Sequence, residues 1–109
     1  MATVAKDAKA VLRQLKKRLL DLYGERLAHV ILFGSFARGD ASEDSDIDVL
    51  IVLRGSIDPR AERKRTLDLI AGLSLEHNVL ISDIITSEEH YSRGEAPLFK
   101  EVQREGVRL

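Results

Sequence analysis

The residues able to do chemistry are concentrated in one stretch, HVILFGSFARGDASEDSDIDVLIVL, residues 29–53. An apolar run, Val30 to Phe33, breaks at Gly34-Ser35. A polar and acidic loop follows, and a second apolar run, Val49 to Leu53, is entered through Asp46-Ile47-Asp48. Read as strand, tight turn, loop and strand, this puts two carboxylates on one strand face. Side chains two apart point the same way, with Cα atoms roughly 6–7 Å apart. Two like charges that close repel unless a cation lies between them. Mg²⁺, a hard ion that favours carboxylate oxygens together with substrate phosphates, is the natural occupant.

A third carboxylate is expected from the run Val79 to Thr86 (VLISDIIT), a β-branched strand with Val79, Ile81, Asp83 and Ile85 on one face. Burying Asp83 among apolar neighbours is costly unless it is paired or bound to a metal. A hydrogen-bonded structural aspartate is one explanation, and a third ligand for the Asp46/Asp48 pair is the other. Three carboxylates beside a Gly-Ser turn suit nucleotidyl transfer, in which ions about 3.5–4 Å apart clamp the attacking and leaving oxygens at phosphorus. Asp46 and Asp48 would share the ions, and Asp83 would hold the one that activates the acceptor hydroxyl. Gly34 lets the backbone approach a phosphate because it has no Cβ. Ser35 and the N–H groups opening the short following helix would donate to β- or γ-phosphate oxygens. Arg38 or Arg63 is placed to neutralise the leaving pyrophosphate.

The elements that must position these residues follow from periodicity and punctuation. Val4, Ala8, Val11, Leu12, Leu15, Leu19 and Leu22 form one helical stripe expected to pack on a sheet, with Gly24 as its stop. The opposite face, Lys6, Lys9, Arg13, Lys16, Lys17 and Arg18 against Asp7 and Asp21, reads as a solvated surface. Asp58 suits an N-cap and Pro59 the first position of a second helix running to about Glu76. Its expected inward residues are Leu67, Ile70, Ala71 and Leu73. Its first turns carry Arg60, Arg63, Lys64 and Arg65, at the end where the helix dipole disfavours cations, which hints at an anionic neighbour. Ser87-Glu88-Glu89 starts a short helix interrupted at Gly94. Pro97 opens a last one (Leu98, Phe99 and Val102 inward) that stops at Gly106 before an extended tail, Val107 to Leu109. Its apolar face would either complete the core or serve a homo-oligomer. Helices alternating with strands give an α/β fold, a small mixed sheet flanked by helices, with the first and central helices covering it.

The chain's 109 residues predict one domain, 1–109, able to bury roughly two-thirds of its unfolded surface. With 17 basic and 18 acidic side chains, the formal charge of -1 argues against broad electrostatic binding of nucleic acid. Tyr23 and Tyr91 have no stacking company for a single-strand platform. Cysteine is absent, so disulfides, thiolate metal sites and a cysteine nucleophile are excluded. The N-terminus lacks the apolar core of a signal peptide, and no apolar run approaches the ~18 residues of a membrane span. A cytoplasmic location without membrane contact is the expectation.

Competing motifs fit less well. An EF-hand starting at Asp44 needs glycine where Val49 stands and glutamate where Gly55 stands. A P-loop needs a Gly-Lys-Ser/Thr ending. A nucleophile elbow at Ser35 needs glycines at the places of Phe33 and Ala37. His29, His77 and His90 show no ligand spacing.

Gly34-Ser35, ten intervening residues, then Asp46-Ile47-Asp48 resembles the GSx10DxD signature of the DNA polymerase β-like nucleotidyltransferase superfamily. The string GSFARGDASEDSDIDVLIV resembles its minimal branch, the MNT or MntA-like antitoxins. The likeness runs from the leading helix through the motif and Asp83 to a Glu105-Gly106-Val107 tail. It implies a nucleotidyltransferase fold and transfer of AMP from ATP that depends on two Mg²⁺ ions. It further implies Asp46, Asp48 and Asp83 as metal ligands, Asp83 also as base, and Gly34 and Ser35 at the nucleotide phosphates. The implied partner is a HEPN-domain ribonuclease toxin whose tyrosine accepts AMP. Larger relatives carry a further domain that builds the acceptor site, so the acceptor surface here would come from a partner or a second copy. Two other readings stand beside this one: an antitoxin that masks its toxin without catalysis, and a small-molecule nucleotidyltransferase.

Overall fold

A computed structural model describes residues 2–42 and 44–109, with side chains from residue 8 onward. The first helix, α1 (Ala2–Tyr23), is followed by a 3₁₀ turn (Gly24–Arg26) and strand β1 (Leu27–Phe33). Then come α2 (Ser35–Arg38), β2 (Ile47–Leu53), α3 (Pro59–His77), β3 (Ile81–Ser87), α4 (Glu88–Arg93), α5 (Pro97–Glu105) and β4 (Val107–Arg108).

The strands form one mixed sheet in the order β3-β2-β1-β4. Its inner pair, β1 and β2, is antiparallel; β3 joins β2 in parallel and the short β4 joins β1 antiparallel. Parallel β2 and β3 need a crossover, and α3 supplies it. Flanked by β1 and β3 and covered by helices on both faces, β2 is apolar and buried at every position but Asp48.

Alternation along the strands divides the core in two. Leu27, Val30, Leu32, Ile47, Val49, Ile51, Leu53 and Ile81 face α1 and α3. Ile31, Leu50 and Val52 face the other way, against Tyr91 of α4 and Val102, Leu98 and Phe99 of α5. The apolar residues of α5 therefore complete the core.

Capping follows the sequence closely. Asp58 accepts a hydrogen bond from the Arg60 N–H at 3.1 Å and Pro59 opens α3, as expected. Ser87 caps α4 through the His90 N–H at 3.2 Å. Gly24 takes a left-handed φ of 54° where α1 ends.

Two helix phases differ from expectation. In α1, Ala8, Val11, Leu12, Leu15 and Leu19 are buried, but the stripe ends on Tyr23, and Leu22 is 43% exposed. Tyr23 lies four residues beyond Leu19 and so continues its line on the helix. Val4, Lys6 and Asp7 lie outside the described side chains. In α3, Ile70 and Leu73 are buried as expected, whereas Leu67 and Ala71 point outward. The inner positions they were expected to fill belong to Glu62 and Thr66. Glu62 can lie inside because Arg26 reaches its carboxylate at 3.2 Å and Arg65 at 3.8 Å. Thr66 satisfies its hydroxyl by donating to the Arg63 carbonyl at 3.2 Å.

Candidate active site

β1 runs straight into Gly34, whose φ of 75° and ψ of -155° suit a residue without Cβ. The chain turns there into α2, a single helical turn closed by the Arg38 N–H donating to the Gly34 carbonyl at 3.1 Å. Phe33 pairs with Asp48 across the β1/β2 ladder, so the turn passes directly over the Asp48 side chain. A Cβ built on Gly34 would overlap Asp48 Oδ2 and lie 3.2 Å from its Cγ. The space beside the glycine is thus bounded by the candidate carboxylate itself.

Asp46 immediately precedes β2 and is exposed; Asp48 is half-buried. Asp48 projects to the sheet face away from α1 and α3, since the preceding Ile47 is buried against those helices, and Asp46 at the mouth of the strand lies near enough for its charge to act on Asp48. Removal from water pushes the Asp48 carboxyl above its ordinary value, the neighbouring Asp46 charge adds to this, and the Arg38 charge opposes it. Such a carboxylate is one for which a bound cation would remove a cost.

Asp83 does not join them. It pairs with Val49 in the parallel ladder, while Ser82 pairs with Asp48. Paired residues in a ladder share a face, so Asp83 points toward the α1/α3 side. The expected convergence of three carboxylates is therefore corrected to two. Among the described residues, no three His, Asp or Glu side chains are grouped closely enough to hold a metal by themselves. Oδ2 of Asp83 is instead buried without a hydrogen-bond partner. Membership of the third strand was legible in the sequence; which face of it the aspartate occupies depended on a register that the sequence alone does not specify.

Of the two arginines, Arg38 lies beside the turn, near enough for its charge to act on Asp48. Its Nε lies 3.3 Å from Asp40 Oδ2 and its Nη1 3.9 Å from Glu105 Oε2. Arg63 lies elsewhere, on α3, donating to the Asp83 carbonyl at 3.5 Å. Glu105 escaped assignment as a site neighbour, yet Gly106 brings it there. A Cβ at Gly106 would press on the Ile31 side chain at 2.6 Å, so the glycine lets the end of α5 close against β1. Beside Asp46, on the other flank of the loop, lies a cleft of about 540 Å³ lined by Phe36, Ile47, Leu75, Val79 and Leu80 with Ser74 and Asn78. A second cavity, about 400 Å³ between Gly55, Ile85 and Phe99, touches none of the expected site residues.

The family model described as "Nucleotidyltransferase domain" matches residues 12–105, which include the turn, both aspartates and Glu105. The chain belongs to this nucleotidyltransferase family. Among its relatives is the chain named "Putative protein adenylyltransferase MJ0604" from Methanocaldococcus jannaschii, 39% identical over 80% of this chain and 80% of that one. Another from the same organism, "Putative protein adenylyltransferase MJ0141", is 37% identical over 69% of this chain and 75% of its own length. "Protein adenylyltransferase MntA" of Thermococcus cleftensis is 40% identical over 41% of this chain and 43% of its own. The likeness to MntA-type minimal nucleotidyltransferases is therefore borne out.

Solved structures agree on the fold of this nucleotidyltransferase. A structure described as "a putative nucleotidyltransferase from Sulfolobus solfataricus" superposes with a TM-score of 0.59 at 24% identity, covering 95% of this chain and 77% of that one. A structure described as "the toxin-antitoxin with AMP-PNP" gives 0.60 at 20% identity, covering 86% and 68%. Among the described residues no helix is long and apolar enough to cross a membrane.

Proposed function

We propose that this nucleotidyltransferase is a protein adenylyltransferase that moves AMP from ATP onto a tyrosine hydroxyl of a HEPN-domain toxin, and so acts as the toxin's antitoxin. The observation that carries the reading is the packing of Asp48, with Asp46 beside it, against the Cβ-free backbone of Gly34. The names of the relatives and of the toxin-antitoxin neighbour support the choice of a protein acceptor.

Mg²⁺ fits the residues present. Asp46 and Asp48 offer neighbouring hard oxygen ligands, and Asp48 carries a charge that its half-buried setting disfavours. Two carboxylates are too few for an all-protein cage, which matches the preference of Mg²⁺ for completing its shell with water and substrate phosphates. When bound, the ion supplies Lewis-acid stabilisation of the charge on the transferring phosphoryl group. Gly34 and Ser35 present a backbone N–H and a hydroxyl to the triphosphate. Arg38, 44% exposed and balanced by Asp40 and Glu105, is free to turn toward the departing pyrophosphate.

In the transfer, the acceptor oxygen bonds to the α-phosphorus, the bond from that phosphorus to the bridging oxygen breaks, and pyrophosphate leaves. The acceptor proton passes to water. A phenol, with a pKa near 10, ionises far more readily than a serine or threonine hydroxyl. A tyrosine acceptor therefore suits a site with two converging carboxylates rather than three.

The test uses α-labelled ATP, Mg²⁺ and the product of the neighbouring gene, checked first for an Arg-x4-6-His ribonuclease motif. Label is expected on a tyrosine of that protein, and unlabelled protein would refute the reading. The placement of Asp83 on the far face favours a second reading, an antitoxin that masks its toxin without catalysis. Under that reading, replacing both Asp46 and Asp48 by Asn leaves neutralisation of the toxin intact.

A further inference from the structure

The outer face of α3 is not the polar surface expected of a helix turned to solvent. Leu67, Ala71 and Leu75 follow one another at four-residue spacing and are exposed, Leu67 by 59% and Leu75 by 84%. Leu80, just before β3, adds a third large apolar side chain, 60% exposed. Isolated exposed leucines are ordinary on a protein surface, but an aligned series is not.

Both ends of this series are occupied by charge. At one end Arg60, Arg63 and Lys64, outnumbering the N-cap Asp58, line a cleft with Leu67 in the first turns of α3, where the helix dipole repels cations. At the other, Leu75 and Leu80 form a wall of the cleft that contains Asp46. The series thus links a cleft rich in basic side chains to the cleft that holds one of the candidate site's own carboxylates.

We infer that this strip is the docking surface for the acceptor protein, which presents apolar side chains flanked by acidic ones and delivers its hydroxyl into the cleft beside Asp46. The inference rests on the transfer reading above for the identity of the occupant. Charge complementarity fixes the orientation: the acidic part of the acceptor lies against Arg60, Arg63 and Lys64, and its apolar part lies against Leu67, Leu75 and Leu80. Continuity with the Asp46 cleft makes docking and catalysis parts of one surface.

The experiment measures binding separately from transfer. The purified product of the neighbouring gene is titrated against the wild-type chain, Leu75→Glu, Lys64→Glu and, as a control on α1, Leu20→Glu; nucleotide binding by each chain is measured in parallel. Leu75→Glu and Lys64→Glu are expected to weaken binding of the acceptor protein about tenfold or more. Leu20→Glu is expected to have no such effect, and all four chains should bind Mg·AMP-PNP alike. The wild-type interaction should also weaken with added salt.

Undiminished binding by Leu75→Glu and Lys64→Glu overturns the surface, as does equal loss in the α1 control. A wild-type chain that dimerises through the strip, shown by sedimentation as a dimer lost in Leu75→Glu, would assign it to a second copy instead. Binding that follows the expected pattern without any transfer of label would refute the enzymatic reading and leave the docking surface standing.

Discussion

Gly34 and Asp48, fourteen residues apart in sequence, are in contact across the β1/β2 ladder, and a methyl group on the glycine would overlap the carboxylate. Gly34→Ala therefore meets two penalties, a left-handed φ of 75° and a collision. Gly39→Ala meets only the first, since its φ of 81° is accompanied by open space. Gly39→Ala should cost about 1 kcal/mol, and Gly34→Ala at least about 2–3 kcal/mol together with lost nucleotide binding. Urea midpoints and calorimetry on the two variants measure the difference. Equal behaviour would show that Asp48 yields freely.

The face occupied by Asp83 leads to a prediction opposite to the one its place in the motif suggests. Asp48→Asn should reduce transfer about 100-fold or more, by removing a ligand to a charge-stabilising cation. Asp83→Asn, on the opposite face of the sheet from Asp48, should leave transfer within about threefold. Single-turnover rates with labelled ATP decide between them. An Asp83→Asn loss as large as that of Asp48→Asn would return Asp83 to the catalytic set.

Much of this site was readable because its determinants are local. The Gly34-Ser35 turn, the two-residue spacing of Asp46 and Asp48, and the caps at Asp58 and Ser87 each depend on neighbours in the chain. The face of Asp83 does not: it is set by pairing Val49 with Asp83 across a crossover of about thirty residues, and a slip of one position would reverse it. The phase of α3 was hidden for a related reason. Glu62 is polar, and only a folded chain brings Arg26 within 3.2 Å to make its burial tolerable. Hydrophobicity alone points Leu67 and Ala71 inward, although their outward positions are what give the helix its exposed strip. Glu105 carried no chemical signal in the sequence, since its approach to Arg38 requires the α5 terminus to close on β1 at Gly106.

The cluster joining the end of α1 to the start of α3 predicts an asymmetry between truncation and replacement. Arg26 pairs with Glu62 at 3.2 Å and lies over the Tyr23 ring, 5.8 Å from its centre. Arg26→Ala strands the buried carboxylate and should destabilise the fold by about 1–3 kcal/mol, part of the pair being exposed. Glu62→Met, which removes the charge and keeps the volume, should cost less. Chemical denaturation of both variants tests the order, and a costlier Glu62→Met would contradict it.

Tyr23 should make stability fall in strong alkali. Burial, with Glu62 nearby, pushes its phenol from 10.0 up to about 12. The folded state then holds a proton that the unfolded chain releases, so this contribution is intact below pH 10 and is lost as pH rises toward 12. The loss amounts to on the order of 2 kcal/mol at the upper end of that window. Unfolding free energies of the wild type and Tyr23→Phe, compared from pH 9 to 12, should diverge in that window, with the variant falling less steeply. Parallel curves would show that the phenol does not ionise there on unfolding.

The central claim, that Asp46 and Asp48 beside the Gly34 turn hold a metal-bound nucleoside triphosphate, is tested most directly by calorimetric titration of AMP-PNP into the isolated chain. Saturable binding is predicted with Mg²⁺ present, lost on chelation and lost in the Asp46→Asn/Asp48→Asn double variant. Binding that persists unchanged in the double variant, or its absence from the wild-type chain at millimolar nucleotide and Mg²⁺, would contradict the account.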